Sequence, residues 1–433
     1  MRVLIVADNV SARRGGEAIL PLHYFRRLRT RGVEAWLIAH ERTRDELTEC
    51  LGSEIDRVWF VPDTPMHRRL ERARTWLPPR LQFFTVGFLS RLLSQVIARK
   101  LARQLVAEKQ IRVVHQPTPV SPRESSLMHS LGAPVIIGPM NGGMTFPPGF
   151  IAEGAEDAAR FTRIGRRLSG AFNWIFPGKR CAAVLLVANP RTRNALNVRP
   201  RGQILELVEN GVDLSLWKPS EGRSRSGEPT RFVFIGRLEA WKGADMLLDA
   251  FAQMTMRDAR LQVIGDGPPR AALEAQAKAL DIADRVEFTG FRPQLEVAQQ
   301  LADSDALVLP SVYECGGAVV LEAMACARPV IAAAWGGPKD YLDNTCGVLI
   351  EPRSRRQLVA DLAAAMDRLA RDPDERRRFG ENGRRRVAEL FDWERKIDRI
   401  LEIYNIACAG EAANPPSIHP APVLPQPSPV QPR

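Results

Sequence analysis

The second half of the chain repeats one pattern: a short apolar β run, a glycine-bearing loop, then a helix-forming segment. Strands are expected at Phe232–Ile235, Leu261–Ile264, Val286–Thr289, Ala306–Leu309 and Pro329–Ala333. Helices are expected at Ala244–Met254, Arg270–Leu280, Gln294–Leu301, Ser354–Ala370 and Asp374–Leu390. Strands that alternate with helices must lie parallel, with helices covering both faces, so this half is a doubly wound α/β domain. The first half opens the same way. Residues 2–8 read as a buried strand, 8–16 as a loop, Ile19–Leu28 as a helix ended by Gly32, and Glu34–Ala39 as a second strand. Further strands are expected at Ile111–Val114, Pro134–Ile137, Ala183–Val187 and Gln203–Val208. A chain of 433 residues is too long for one core and comfortable for two. The expected architecture is therefore two Rossmann-like domains facing across a cleft, over 1–208 and 209–392. A helix over 393–408 returns to the first domain, and a Pro-rich tail over 409–433 has no core-forming pattern.

Composition narrows the function classes. The chain is 45% hydrophobic, and no apolar run reaches the ~18 residues that would span a bilayer. The N-terminus begins directly on a strand, without a signal-peptide layout, and six scattered cysteines with no C-x-x-C pair suit a reducing cytosol. The formal charge of +11 is concentrated in the first half, where residues 1–210 hold 32 Lys+Arg against 18 Asp+Glu. Two stretches carry it, Met66–Arg103 with nine cations and one acid, and Arg160–Arg180 with six cations and no acid, both interleaved with aromatics. One reading is solvated basic faces over core helices. The other is a surface that docks peripherally on anionic lipid at the inner face of the membrane. Nucleic acid is not expected, because no recognition motif accompanies the charge.

The stretch Ala306–Cys326, ALVLPSVYECGGAVVLEAMAC, concentrates the chemistry. Its strand ends at Pro310-Ser311, a short loop carries Glu314, and Gly316-Gly317 open a helix that carries Glu322. Bare amides at a helix N-terminus favour phosphate, and acids beside them can accept ligand hydroxyls. Dipole stabilisation plus one solvated glutamate is the alternative. Other strand ends in this domain supply Arg237, Lys242, Gly265-Asp266-Gly267 and Gly336-Gly337. Two cations, two exposed helix starts and two acids suit a nucleotide diphosphate bearing a polyhydroxyl group. The first loop ends in Gly15-Gly16 but lacks G-x-G-x-x-G, so it is not a dinucleotide fingerprint. Asp303-Ser304-Asp305 spells D-x-D, but helix-end and turn chemistry explains it, and no metal or organic cofactor is expected.

Together GRLEAWKG, NGVD, GDGP, PSVYECGGAVVLEAMA and AWGGPKDYL resemble the second domain of family 4 retaining glycosyltransferases of the GT-B fold. Glu314 and Glu322 match that family's E-x7-E motif. The resemblance implies retaining transfer from a nucleotide sugar to a glycan or lipid-linked acceptor, in cell-envelope or exopolysaccharide synthesis. It implies that Arg237 and Lys242 contact the donor diphosphate, Glu322 the ribose and Glu314 the transferred sugar. Gly265, Gly316, Gly317, Ala318, Val319 and Val320 would line the donor, with Gly16 closing from the other domain. Two departures stand out. The loop GPMNGG, with Met140, Asn141, Gly142 and Gly143, occupies the place where many members have a histidine. His115, after the preceding strand, is the candidate in its stead, with a satisfied structural histidine as the alternative. Cys315 replaces the usual aromatic residue after Glu314. A nucleotide-sugar epimerase or phosphorylase on the same fold, or a non-enzymatic basic membrane-binding protein, are the competing readings.

Overall fold

The computed structural model describes residues 1–13, 16–76, 85–151, 173–220 and 228–409. The first sheet holds seven parallel strands: β1 (Arg2–Val6), β2 (Glu34–His40), β3 (Val58–Val61), β4 (Val113–Gln116), β5 (Val135–Met140), β6 (Val184–Val187) and β7 (Gln203–Glu206). The second holds six: β8 (Arg231–Ile235), β9 (Arg260–Ile264), β10 (Val286–Gly290), β11 (Ala306–Leu309), β12 (Val330–Ala333) and β13 (Gly347–Ile350). Their orders are β3-β2-β1-β4-β5-β6-β7 and β10-β9-β8-β11-β12-β13. Each order reverses once, between β1 and β4 and between β8 and β11. Open α/β sheets take ligands at the carboxyl end of such a switch.

Period-two alternation builds the first core. Val3 and Ile5 face one layer, while Leu4 and Val6 face the other with Trp36, Ala98 and Leu105. The helix Trp393–Ala409 lies on the former face, and Trp393, Ile397, Ile400, Ile403 and Tyr404 pack there with Tyr24, Phe25 and Leu28. The chain thus leaves the second domain and closes the core of the first. One core cluster fills the second domain, from Val233 and Phe251 through Leu307 and Leu321 to Leu362 and Val387.

Several expected boundaries move, and two of the shifts change function. The long helix Val86–Lys109 ends on Gln110 in a left-handed conformation, and Ile111 N–H bonds back to Val106 O at 3.1 Å. Residue 111 therefore belongs to the helix end, and β4 runs two residues later, taking in His115 and Gln116. Strand β5 does not stop at Gly138-Pro139. Its register slips between Ile137 and Met140 and the strand continues, so Met140 is a strand residue, fully buried in the core. The helices Arg44–Leu51 and Gly337–Tyr341 and the strands β3 and β13 are further elements, short enough to leave little periodicity in the sequence. The Pro-rich tail, much of the Arg160–Arg180 patch and part of Met66–Arg103 lie outside the described residues.

Candidate active site

The second sheet's switch point gathers most of the expected donor residues. Strand β8 leads to Gly236-Arg237, and the Arg237 side chain is 78% exposed with its nearest carboxylate, Glu239, 3.9 Å away. Lys242 ends a short 3₁₀ turn, and Gly243, at φ +73°, starts the helix Ala244–Gln253. A Cβ at Gly243 would lie 2.9 Å from Pro310 O, so this turn packs directly on the end of β11. Across the switch, Lys242 Nζ donates to Glu314 Oε2 in a close, half-buried ion pair.

Two glycine loops then fit into each other. Gly317, at φ +76°, caps the helix Ala318–Ala325, while Gly337 N–H donates to Glu314 O at 2.9 Å. Any Cβ at Gly337 would fall 1.8 Å from Gly316 O, and one at Gly336 would fall 2.0 Å from Glu314 O. The same close backbone approach holds Gly265 over Gly236 O and Gly267 over Leu238 O. Val320 N–H is committed to Gly317 O at 2.9 Å, and its side chain is buried, so this amide is not offered to a ligand as expected. Ala318 and Val319 stand at the helix start. Glu322, one turn further, keeps part of its surface accessible, yet burial among apolar neighbours pushes its carboxyl up to about 7. On the first domain's side, Gly16 is exposed at φ +56°, with open space where a Cβ would be. Its neighbours Arg14 and Gly15 are outside the described residues.

His115 is not brought to the cleft. It lies fully buried on the β4 face covered by the C-terminal helix. Gly138 O can only accept, so Nε2–H donates to it at 2.7 Å and Nδ1 accepts from the Tyr404 hydroxyl at 2.8 Å. Burial first, then nearby Lys396, lowers its pKa to about 4 against the opposing Gly138 bond. With both nitrogens used and the ring neutral, His115 is a structural histidine, and the alternative reading stands. Met140 is likewise corrected to a core residue.

Asn141 does reach the interface. Its Nδ2 donates to Glu209 Oε1 at 2.6 Å and to Cys315 O at 2.9 Å, joining β5 to the Glu314 loop. Gly142 N–H bonds Thr192 Oγ1 at 3.0 Å, and Gly143 is held at φ +79° against Arg191 O. More contacts cross between the domains: Trp335 Nε1 to Thr145 O at 2.7 Å, Phe146 stacked on Tyr313 at 4.8 Å, and Asp340 accepting from Asn189 and Arg191.

The residue that sequence reasoning missed is Glu209. It precedes the Asn210-Gly211 turn between the domains, and its Oε1 also accepts from Asn210 Nδ2 at 3.0 Å. A Cβ at Gly316 would fall 2.4 Å from that oxygen. Burial raises the Glu209 carboxyl, and Lys396 opposes the shift while donating to the carbonyls of Val208, Glu209 and Asn210. An acid beside an Asn-Gly turn gave no periodic signal; only its apolar flank, LELVE, hinted at burial. The D-x-D acids sit at the opposite, amino edge of the sheet, where Asp305 accepts Arg231 N–H at 2.8 Å and Asp303 accepts from Ser220.

Residues 219–386 match the model of the family described as "Glycosyl transferases group 1". It is 33% identical over 213 residues to an MMP α-(1→4)-mannosyltransferase of Mycolicibacterium hassiacum, covering 48% of this chain and 50% of that one. It is 36% identical over 222 residues to a D-inositol 3-phosphate glycosyltransferase of Thermomonospora curvata, covering 46% and 50%. The chain spans about half the length of these curated relatives. Over the whole fold it resembles sucrose-phosphate synthase from Thermosynechococcus elongatus, with a TM-score of 0.66 at 20% identity, covering 94% and 99% of the chains. Anabaena HepE, crystallised with UDP, aligns at a TM-score of 0.64 and 18% identity, covering 94% and 100%. These likenesses identify the two-sheet architecture as GT-B.

Proposed function

We propose that this chain is a retaining glycosyltransferase that moves a sugar from a nucleoside-diphosphate sugar to a glycan or lipid-linked acceptor. The observation that carries the reading is the Lys242–Glu314 pair, set at the switch of the second sheet beside two interlocked glycine loops. In the free protein each charge neutralises the other. A donor diphosphate would replace Glu314 as the partner of Lys242, and Arg237, exposed at the same edge, would add the second cation. Glu314 would then be free to accept from sugar hydroxyls, and Glu322 would accept from the ribose. The two cations meet the charge on the leaving diphosphate without a metal. Front-face transfer places the incoming hydroxyl on the side from which the diphosphate departs, so the anomeric configuration is kept. The Anabaena neighbour was crystallised with UDP, which supports a nucleotide-bearing donor for this chain.

The acceptor would enter from the first domain, past Asn141, Gly142 and Gly143. A peripheral lipid-docking role is proposed for the basic stretches, supported by Trp76 at 88% and Trp174 at 72% exposure. Among the described residues no helix is long and apolar enough to cross a membrane. A cell-envelope or exopolysaccharide product is the pathway this reading expects.

A thermal-shift screen of nucleotide sugars identifies the donor, because a ligand that binds the native state raises its melting temperature. NMR of the product with that donor and an acceptor should show retained anomeric configuration. Inverted product would overturn retention, and an epimerised donor in the absence of acceptor would overturn transfer.

A further inference from the structure

We propose that His40, Asp63 and His67 form a binding site for a zinc-class divalent cation at the carboxyl edge of the first sheet. Three pieces of backbone deliver these side chains. β2 ends on His40, the loop after β3 carries Asp63, and the helix Pro65–Arg74 opens with His67 in its first turn. One ring nitrogen of each histidine and one Asp63 carboxylate oxygen lie within 4.8 Å of one another. The two rings meet edge to face at 5.4 Å. His40 is 2% exposed and His67 5%, while Asp63 opens to solvent.

A second observation points to a ligand. His40 Nε2 is buried and has no hydrogen-bond partner, which is unusual for a polar atom in a packed interior. His67 is held at both ring nitrogens, Nδ1 accepting from Thr64 N–H at 3.2 Å and lying 2.9 Å from Thr64 Oγ1, and Nε2 lying 3.2 Å from Ser94 Oγ. An ion taken on Nε2 would displace the Ser94 hydroxyl, and Nδ1–H would then donate to Thr64 Oγ1 in place of accepting from Thr64 N–H. On His40, binding through Nε2 moves the ring proton to Nδ1 and gives up the contact from Arg42 N–H, which is already long at 3.3 Å.

Charge around the site is balanced. Arg42 pairs with Asp8 at 3.0 Å, Arg68 lies 3.8 Å from Asp63, and Glu41 accepts Asp63 N–H at 3.1 Å. Two imidazoles and one carboxylate suit zinc better than magnesium or calcium, which prefer all-oxygen sets, and a water completes the tetrahedron. The ion would fasten the start of the helix Pro65–Arg74, and with it the approach to the basic stretch, onto the ends of β2 and β3.

The test uses the full chain, stripped with a chelator and titrated with Zn²⁺ or Co²⁺. The expected result is one equivalent bound, a higher melting temperature, and visible Co²⁺ bands without the near-ultraviolet charge-transfer band of thiolate ligation. That last readout matters because the chain has six free cysteines. Asp63→Asn alters an exposed side chain and leaves the fold intact, and it should weaken binding about tenfold or more; His40→Gln should do the same. No binding at sub-millimolar zinc, unchanged affinity in both variants, or a thiolate band would each overturn the site.

Discussion

The two sheets share their strand order but finish their carboxyl edges differently. The second domain brings backbone against backbone. Gly337 sits on Gly316 O, Gly336 on Glu314 O and Gly265 on Gly236 O, leaving room for a ligand's phosphates and only a few charged side chains. The first domain fills the equivalent edge with side chains. His115 and Met140 turn into its core, and Asn141 is spent on Glu209 and the Cys315 carbonyl. The contrast separates an edge built from close-packed backbone from one whose side chains reach the other domain.

Four experiments would break or sharpen this contrast. The largest effect is expected for Lys242→Ala, which removes a charge from the diphosphate edge. Transfer at saturating donor should fall on the order of 10²–10³ with an unchanged circular dichroism spectrum. Retained kcat would break the donor assignment. Gly337→Ala comes next, since its Cβ has a carbonyl oxygen at 1.8 Å and no flexible side chain to displace. It should destabilise the second domain by about 2–4 kcal/mol and abolish nucleotide binding in calorimetry. A stable, nucleotide-binding variant would show that the loops are not interlocked.

His115→Gln should act on stability alone, because Gly138 O and the Tyr404 hydroxyl lose their partner. About 1–3 kcal/mol is expected in denaturant unfolding, with kcat unchanged. A selective loss of kcat in a folded variant would move the first edge into the chemistry. The smallest effect concerns pH. The Glu322 carboxyl titrates at about 7 in the free protein against 4.5 for an ordinary glutamate, because burial disfavours its charge. The neutral form is thus favoured in the folded chain, and this group's contribution to stability declines as pH rises from about 4.5 through 7. A ribose that donates to the carboxylate reverses the preference. Nucleotide affinity should rise through pH 7, by about tenfold per pH unit at most, and Glu322→Gln should flatten the profile.

Much of the proposed donor edge was legible because its close backbone packing forbids side chains. Glycine pairs at strand ends, a cation after each β8-side turn and an acid on either side of a helix start are visible without coordinates. The acceptor edge was less legible. One misplaced strand boundary, caused by reading 111 as strand rather than helix end, moved His115 from a loop into a core. A Gly-Pro that looked like a breaker is a register slip, and it buried Met140 in the same way. Glu209, the residue that joins Asn141, Asn210 and the Gly316 loop, sits in a connection whose sequence pattern indicates only a turn.

Sequence alone determined the two α/β domains, their parallel sheets and the glycine, lysine and glutamate chemistry of the second, because these follow from periodicity and from local backbone geometry. Tertiary structure decided which polar side chains face a cleft and which face a core. Within a strand, one residue of register turns a side chain to the opposite face. Contacts such as Asn141–Glu209, His115–Tyr404 and the His40–Asp63–His67 cluster join residues whose separation along the chain has no pattern to betray it.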